Sequence, residues 1–212
     1  PTPSSAASDV YKRQVEAPHG VKLVPGASGI QNLAALNKSQ TAAIISAFSE
    51  IESEIDFLIV DMAAGLSDSV MTFLCACQKR YIVVKNEPSS IADAYATIKV
   101  MLQDFNLNNI SLIPNGVISQ KDGVRLSKNI NTVIKNFLGG NVDYLHSITF
   151  DEMILRATKA SKCLLDYEPS SNATRDFKEL AKIITSQDSA SALSGGLQFF
   201  VERMTMNQAR VG

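Results

Sequence analysis

The chain has 212 residues, of which 45% are hydrophobic and 19% are charged, enough for one sizeable globular core. Lys and Arg number 20 and Asp and Glu number 21, so the formal net charge is −1 and bulk charge gives no support to general nucleic-acid binding. Three sparse cysteines favour a reducing compartment over a disulfide framework. No apolar run approaches the roughly 20 residues that a membrane-spanning helix needs.

The two ends of the chain differ in composition from the middle. Residues 1–14 are rich in Pro, Ser and Ala without an apolar period, which is typical of a non-native leader, and we exclude them from the fold. Residues 15–184 carry the patterned core. Residues 185–196 form a Ser/Ala/Gly linker, and 197–212 form a last amphipathic element.

Within the patterned core, short apolar runs alternate with longer amphipathic segments. The apolar runs predict five strands, at Val21–Val24, Asp56–Val60, Arg80–Asn86, Ile110–Asn115 and Val142–Ile148. The amphipathic segments predict helices at 39–53, 67–77, 87–105, 127–137, 152–160 and 171–184. This alternation predicts an α/β fold, a doubly wound and mostly parallel sheet with helices on both faces.

Ligands of such sheets bind beyond the carboxyl ends of the strands. Small or polar residues follow all five predicted strands, at Pro25–Ser28, Asp61–Gly65, Asn86–Ser90, Asn115–Gly116 and Thr149–Asp151. We expect these segments to lie at one edge of the sheet. Their convergence indicates a ligand site more strongly than any single segment does.

The stretch "DFLIVDMAAGLSDSV" places Asp61 after four apolar residues and before Ala63, Ala64 and Gly65. One interpretation is a Walker-B acid that holds Mg²⁺ directly or through water, with Gly65 letting a backbone N–H approach a γ-phosphate. The other is a strand-end Asp that caps the following helix. The segment by itself leaves both open.

Five motifs occur in the order that the MinD/ParA group of deviant P-loop ATPases shows: "GVKLVPGASGIQNLAAL", "DFLIVDMAAGLSDSV", "VVKNEPSSIADAYATIKVM", "LIPNGV" and "FDEMILRA". The second and third are the most specific. They are similar to the FlhG (FleN) branch, the MinD-like ATPases that limit flagellar number and placement. The resemblance runs from about Gly20 to the C-terminus and implies a P-loop NTPase fold of the MinD type.

The resemblance also implies roles for particular residues, with ATP and Mg²⁺ as cofactors. Asp61 would lie in the Mg²⁺ shell and act with Gly65 in catalysis. Asn115 would bind the adenine, although Asn before Gly is also a common turn pair. The switch residues Ala63, Ala64 and Gly65 would sense the γ-phosphate and contribute to the dimer interface. The family's Pro-x-Asp adenine loop would be formed by Phe150 and Asp151, with Thr149 in place of the usual Pro.

A phosphate-binding loop is missing from these motifs. P-loop ATPases cradle the phosphates with backbone N–H groups and a lysine, in G-x-x-x-x-G-K-[ST] or a Lys-Gly-Gly variant. The dipeptide Gly-Lys does not occur in the chain. The sequence therefore resembles a member of the group that lacks its P-loop strand, and we expect the chain as given to bind and hydrolyse ATP poorly.

The last element, "LQFFVERMTM", has one apolar stripe. Leu197, Phe200, Val201 and Met204 recur at helical spacing, and Phe199 adds apolar bulk. The resemblance implies a membrane-targeting amphipathic helix, used by a homodimer that doubles a weak attachment. The alternative is a terminal helix that packs on the core or on a partner.

The resemblance implies a cytoplasmic ATPase that associates peripherally with the inner membrane, with the cell pole as a further expectation. Its implied partners are a signal-recognition-type flagellar GTPase (FlhF-like) and a flagellar transcription activator (FleQ-like), with no direct nucleic-acid contact. One alternative is a ParA-type chromosome- or plasmid-partitioning ATPase, which would bind DNA. A more distant alternative is a receiver-like phospho-acceptor module with Asp61 as the acceptor.

Overall fold

In the computed structural model of the chain, the described residues are 14–24, 38–50, 55–62 and 65–186. The chain divides into two compact units, one comprising Pro1–Gln78 with Ala190–Gly212 and the other comprising Lys79–Ser189. Each unit has its own packed apolar residues. The predicted leader, except residue 14, and the predicted C-terminal helix lie outside the described residues.

The first unit opens with a hairpin. Strand β1 (Val15–Ala17) pairs antiparallel with β2 (Val21–Leu23) through a 3₁₀ turn at Pro18–Gly20. The turn reverses the chain because His19 and Gly20 both adopt positive φ, +65° and +77°. The strand predicted near Val21 therefore exists, but its assignment to a parallel sheet was wrong. A reversal of three residues leaves no room for the helical crossover that parallel pairing needs.

Two helices pack together in the same unit, α1 (Lys38–Glu50) and α2 (Asp68–Ala76). Ile45 and Ala76 are fully buried between them. Helix α2 begins where the sequence predicts, because the Ser67 hydroxyl accepts a hydrogen bond from the Val70 N–H at 3.4 Å.

The strand predicted at Asp56–Val60 is not present: these residues have no strand assignment. Leu58 and Val60 pack against the core of α1 and α2, whereas Phe57 and Ile59 are exposed. The apolar run predicts burial on both faces of a sheet, and the exposure of Phe57 and Ile59 shows that this was wrong. A strand additionally needs a hydrogen-bonded neighbour, and within the described ranges no strand pairs with this segment.

The second unit contains a parallel sheet and five helices. Its strands are β3 (Arg80–Val84), β4 (Ile110–Val117), β5 (Asp143–Tyr144) and β6 (Ile148–Thr149), with β3, β5 and β6 all pairing with β4. Its helices are α3 (Pro88–Gln103), α4 (Gln120–Leu138), α5 (Glu152–Lys159), α6 (Leu164–Tyr167) and α7 (Asn172–Ser186). Helix α7 includes residues 185 and 186, the first two residues of the predicted linker.

Helices cover both faces of this sheet, as the sequence predicts. Successive side chains of a strand point to opposite faces. Ile113 packs with Ala157 of α5 and Ala173 of α7. Its neighbour Pro114 instead lies under Gly123 of α4. The α/β fold with a parallel, doubly covered sheet is therefore confirmed.

One predicted strand is divided in two. The sequence predicts a single strand over Val142–Ile148, but β5 and β6 are separate and pair with β4 in different registers. A further register shift lies within the β4–β6 pairing at Gly116, which has a φ of +69°. Leu112 pairs with Tyr144, whereas Asn115 pairs with Ile148, one residue out of step. A β-bulge of this kind breaks the apolar period that strand prediction relies on.

Helix α4 begins seven residues before its predicted start at Ser127. Ser119 caps it, accepting from the Asp122 N–H at 3.3 Å and donating to the Asp122 carboxylate at 2.7 Å. The part of the helix that precedes the predicted start contains Gly123, although glycine usually weakens a helix. Here Gly123 is required by packing, because a Cβ at this position would lie 1.8 Å from the Ser147 Oγ and 2.8 Å from the Ser147 Cβ.

Substitution Gly123→Ala should therefore destabilise the protein although alanine favours helix. Overpacking costs about 1–3 kcal/mol, which exceeds the roughly 1 kcal/mol gained in helix propensity. Urea unfolding followed by circular dichroism measures the change. Asn129→Ala, at an exposed position of the same helix, is the matched control and should be neutral or stabilising. Adding Ser147→Gly should remove the penalty, and a G123A chain as stable as wild type would contradict this account of the packing.

Candidate functional site

The carboxyl ends of three parallel strands meet at one edge of the sheet in the second unit. Residues 85–90 follow β3, Asn115 and Gly116 lie near the end of β4, and Phe150 and Asp151 follow β6. The predicted convergence of these three segments is thus confirmed. The segment 25–28 lies outside the described residues, and the segment after Val60 belongs to the other unit.

Asn115 is held inside β4 rather than in a turn. It pairs with Ile148, and the strand continues through Gly116 to Val117. The interpretation of Asn-Gly as a simple turn pair was therefore wrong. Gly116 allows the local change of direction because its φ of +69° is unfavourable for other residues. Asn115 is half-buried, so its amide keeps both a donor and an acceptor near the sheet edge.

Phe150 lies beside this asparagine in the fold. Its N–H donates to the Val117 carbonyl at 2.8 Å, which extends the pairing of β4 and β6 by one bond. Its ring is 70% exposed. An exposed aromatic ring next to a strand-end amide can stack on a planar, nitrogen-rich ligand such as a nucleobase.

Asp151 joins the loop to two helices. Its carboxylate accepts from the Met153 N–H at 2.9 Å, capping α5, and from the Ala173 N–H at 3.2 Å in the first turn of α7. The bond from the Met153 backbone is the main cause that holds the pKa of Asp151 below its usual value, with Ala173, Ser171 and Asn172 adding to it against the opposing effect of desolvation.

Thr149, which stands where the family has proline, is fixed by a residue that the sequence analysis missed. Its N–H and its hydroxyl both donate to the Asp176 Oδ2, at 2.8 and 2.5 Å. Asp176 follows Ala173 and precedes Leu180 on the inward stripe of α7, and those two pack against the sheet. The sequence signal that could have identified Asp176 is a carboxylate at a position where the helical spacing predicts an apolar residue.

Asp61 and Gly65, the residues predicted to act near Mg²⁺ and phosphate, belong to the first unit. Asp61 is exposed. Gly65 has a φ of +116°, where side chains are rarely accommodated, and open space surrounds the position of a Cβ. Ala63 and Ala64, the other predicted switch residues, lie outside the described residues.

The described residues include no group of three or more His, Cys, Asp or Glu side chains that could hold a metal ion. Mg²⁺ differs from most metals in using one or two carboxylates together with substrate phosphates and waters. A lone exposed Asp61 fits an ion that arrives with a nucleotide. It does not fit a metal held by protein side chains alone.

A parallel sheet covered by helices on both faces, with polar and aromatic residues at its carboxyl edge, defines the class of doubly wound α/β proteins, which bind their ligands at that edge. A scan against models of known protein families finds no match. The septum site-determining protein MinD of Pyrococcus horikoshii, solved with Mg-ADP, has a TM-score of 0.62 over 85% of this chain and 71% of its own length, at 19% identity.

Two relatives identify the family within this class. The antiactivator FleN of Pseudomonas aeruginosa is 35% identical over 215 residues, covering 98% of this chain and 77% of the relative. The flagellum site-determining protein YlxH of Helicobacter pylori is 28% identical over 189 residues, covering 87% of this chain and 64% of the relative. The chain belongs to the FleN/FlhG family of MinD-like ATPases, as its motifs predict, and not to the receiver class.

The capping role of Asp151 predicts a pH-dependent stability. Because the bonds lower its pKa in the folded state, its contribution is complete above the unfolded value of about 3.9 and is lost as the pH falls through the folded value. Asp151→Ala should lower the free energy of unfolding by about 1 kcal/mol at neutral pH, with the difference narrowing in acid.

Urea unfolding at pH 7, 5 and 3 would measure this difference. Asp151→Asn keeps one acceptor oxygen for the Met153 N–H and loses the one for the Ala173 N–H, so its stability at pH 7 should lie between wild type and D151A. Asp93→Asn, exposed in the middle of α3, controls for the loss of a surface charge. A D151A penalty that is constant across the three pH values would refute the role assigned to the ionised carboxylate.

Proposed function

We propose that this chain is the nucleotide-responsive part of a MinD-like ATPase that regulates the number and placement of flagella. The match to FleN along 98% of the chain is the observation that carries the proposal. The names of both relatives support it, since one is an antiactivator and the other determines the site of a flagellum. The MinD-type fold supports a nucleotide as the ligand.

At the sheet edge, the Asn115 amide would hydrogen-bond the adenine and the exposed Phe150 ring would stack on it. Asp151 would act mainly by shaping the loop, because two backbone N–H groups already use its carboxylate. A carboxylate has about four lone-pair sites, so a further contact to the base stays open to it.

On the phosphate side, Asp61 would hold Mg²⁺ through a water, and the Gly65 backbone would approach the γ-phosphate without hindrance from a side chain. Bound Mg²⁺ supplies neutralisation of the charge on the transferred phosphoryl group. Ala63, Ala64 and Gly65 would carry the state of the nucleotide to a homodimer interface, which small side chains allow to close tightly.

Dimerisation would control membrane association. The C-terminal helix would bury an apolar stripe in the inner-membrane interface, formed by Leu197, Phe200, Val201 and Met204 together with Phe199. One such helix would bind too weakly to hold a monomer at the membrane, so two would be needed. Among the described residues, no helix has the length and apolar character needed to cross a membrane. A FlhF-like GTPase and a FleQ-like transcription activator are the partners that we propose for the cytoplasmic and membrane-bound states.

The adenine site can be tested by nuclear magnetic resonance on the 212-residue chain. Millimolar ADP should shift the backbone signals of Asn115 and Phe150, and GDP at the same concentration should shift them less. Asn115→Ala should weaken ADP about three- to tenfold, the equivalent of one or two hydrogen bonds. Asn136→Ala, exposed on α4, is the matched control. Shifts confined to other parts of the chain would contradict the site.

The membrane helix can be tested by co-sedimentation with vesicles containing phosphatidylglycerol. The double substitution Phe199→Ser and Phe200→Ser should reduce binding by more than about 100-fold, because each buried Phe contributes about 1.5–3 kcal/mol. Gln198→Ser is the neighbouring control. Unchanged sedimentation would contradict the proposal, and salt-dependent binding to DNA would favour a partitioning function instead.

A further inference from the structure

A cluster of polar side chains lies directly behind the base-binding loop. We call it the Asp176 cluster, and it consists of Gln120, Tyr144, Ser147, Thr149 and Asp176. The Gln120 Nε2 donates to the Asp176 Oδ1 at 2.9 Å and to the Ser147 carbonyl at 3.0 Å. The Tyr144 hydroxyl donates to the Gln120 Oε1 at 3.0 Å. The cluster thus joins the start of α4, the β5–β6 connection and α7.

The centre of the cluster is a carboxylate with little access to water. The Asp176 side chain is only 14% exposed. Burying a carboxylate is costly unless donors surround it, and here the donors are two groups of Thr149 and one of Gln120. The His146 Nε2 is buried 3.7 Å from the Asp176 Oδ1, too far for a hydrogen bond. Among the described residues, Thr149 therefore supplies two of the three hydrogen bonds to this carboxylate.

The start of α7 does not depend on this carboxylate. Ser171 accepts from the Thr174 N–H at 3.1 Å, and the Thr174 hydroxyl donates to the Glu168 carbonyl at 2.8 Å. Thr174 is fully buried, so these bonds hold the first turn of the helix from within. Asp176 lies in the second turn of the helix, where its Oδ2 accepts from Thr149 of β6 and its Oδ1 accepts from Gln120 of α4.

What the carboxylate fixes is the residue before Phe150. Thr149 is held by both of its donors, and the Phe150 N–H is bonded to the Val117 carbonyl. The backbone on each side of the exposed ring is therefore restrained although the ring itself makes little contact with the protein. Restraint before binding reduces the entropy that a ligand must overcome.

We propose that Asp176 is a positioning residue for the nucleobase: through Thr149 it holds the loop so that the Phe150 ring is presented to an adenine at Asn115. This inference rests on the proposed nucleotide-binding function and deepens it. Asp176 does not touch the base. Its effect reaches the ligand through the two hydrogen bonds to Thr149.

The test compares two substitutions at one position in the 212-residue chain. Thr149→Ser keeps both donors, whereas Thr149→Val keeps the shape and loses the hydroxyl donor. ADP affinity is measured by titration of backbone signals, and the amide hydrogen exchange of Phe150 is measured without ligand. T149V and Asp176→Asn should weaken ADP about five- to tenfold, the size expected when one or two groups must be ordered on binding, and T149S should not.

Thr174→Val is the control for a loss of stability in α7, because it removes a buried hydroxyl bond without touching β6. It should lower the thermal midpoint and leave ADP affinity and Phe150 exchange unchanged. If D176N does not fold, the pair T149S and T149V still decides the question.

Three other outcomes are informative. Wild-type affinity in both T149V and D176N would overturn the positioning role and leave the adenine site intact. A loss of affinity in T174V as large as in T149V would show a general effect of stability and would also overturn it. A wild-type chain without any adenine-dependent shift at Asn115 or Phe150 would overturn the proposed function itself and, with it, the role for Asp176 in binding.

Discussion

Parallel pairing along β4 is the constraint on which the second unit depends. β3 pairs along one side of this strand and β5 and β6 along the other, so the segments that follow β3, β4 and β6 emerge at the same edge. The strand can hold this central position because its two faces are covered by different helices, with Ile113 against α5 and α7 and Pro114 against α4. The close approach at Gly123 permits the second of these contacts.

Two carboxylates fix the conformation of the loop at this edge of the sheet. Asp151 bonds to backbone N–H groups at the beginnings of α5 and α7, and Asp176 bonds to Thr149 from within α7. Both acids satisfy donors that would otherwise be left in poorly solvated positions. The same helix therefore contacts the loop on either side of Phe150, so a change in the conformation of that loop would alter its hydrogen bonds to α7.

The likeness to septum-site, antiactivator and flagellum-site proteins illustrates that one fold serves several cellular tasks. The sheet and its edge are common features of such a fold.

The sequence by itself determined the class of fold, most helices and the strand-end residues Asn115, Phe150 and Asp151, because apolar period and local motifs report directly on burial and on family. Only the tertiary structure decided the hairpin of β1 and β2, the absence of a strand after Asp56, the bulge beside Gly116 and the role of Asp176. Strand pairing, register and the partner of a buried charge are set by contacts between residues far apart in the chain, and a local pattern does not contain them.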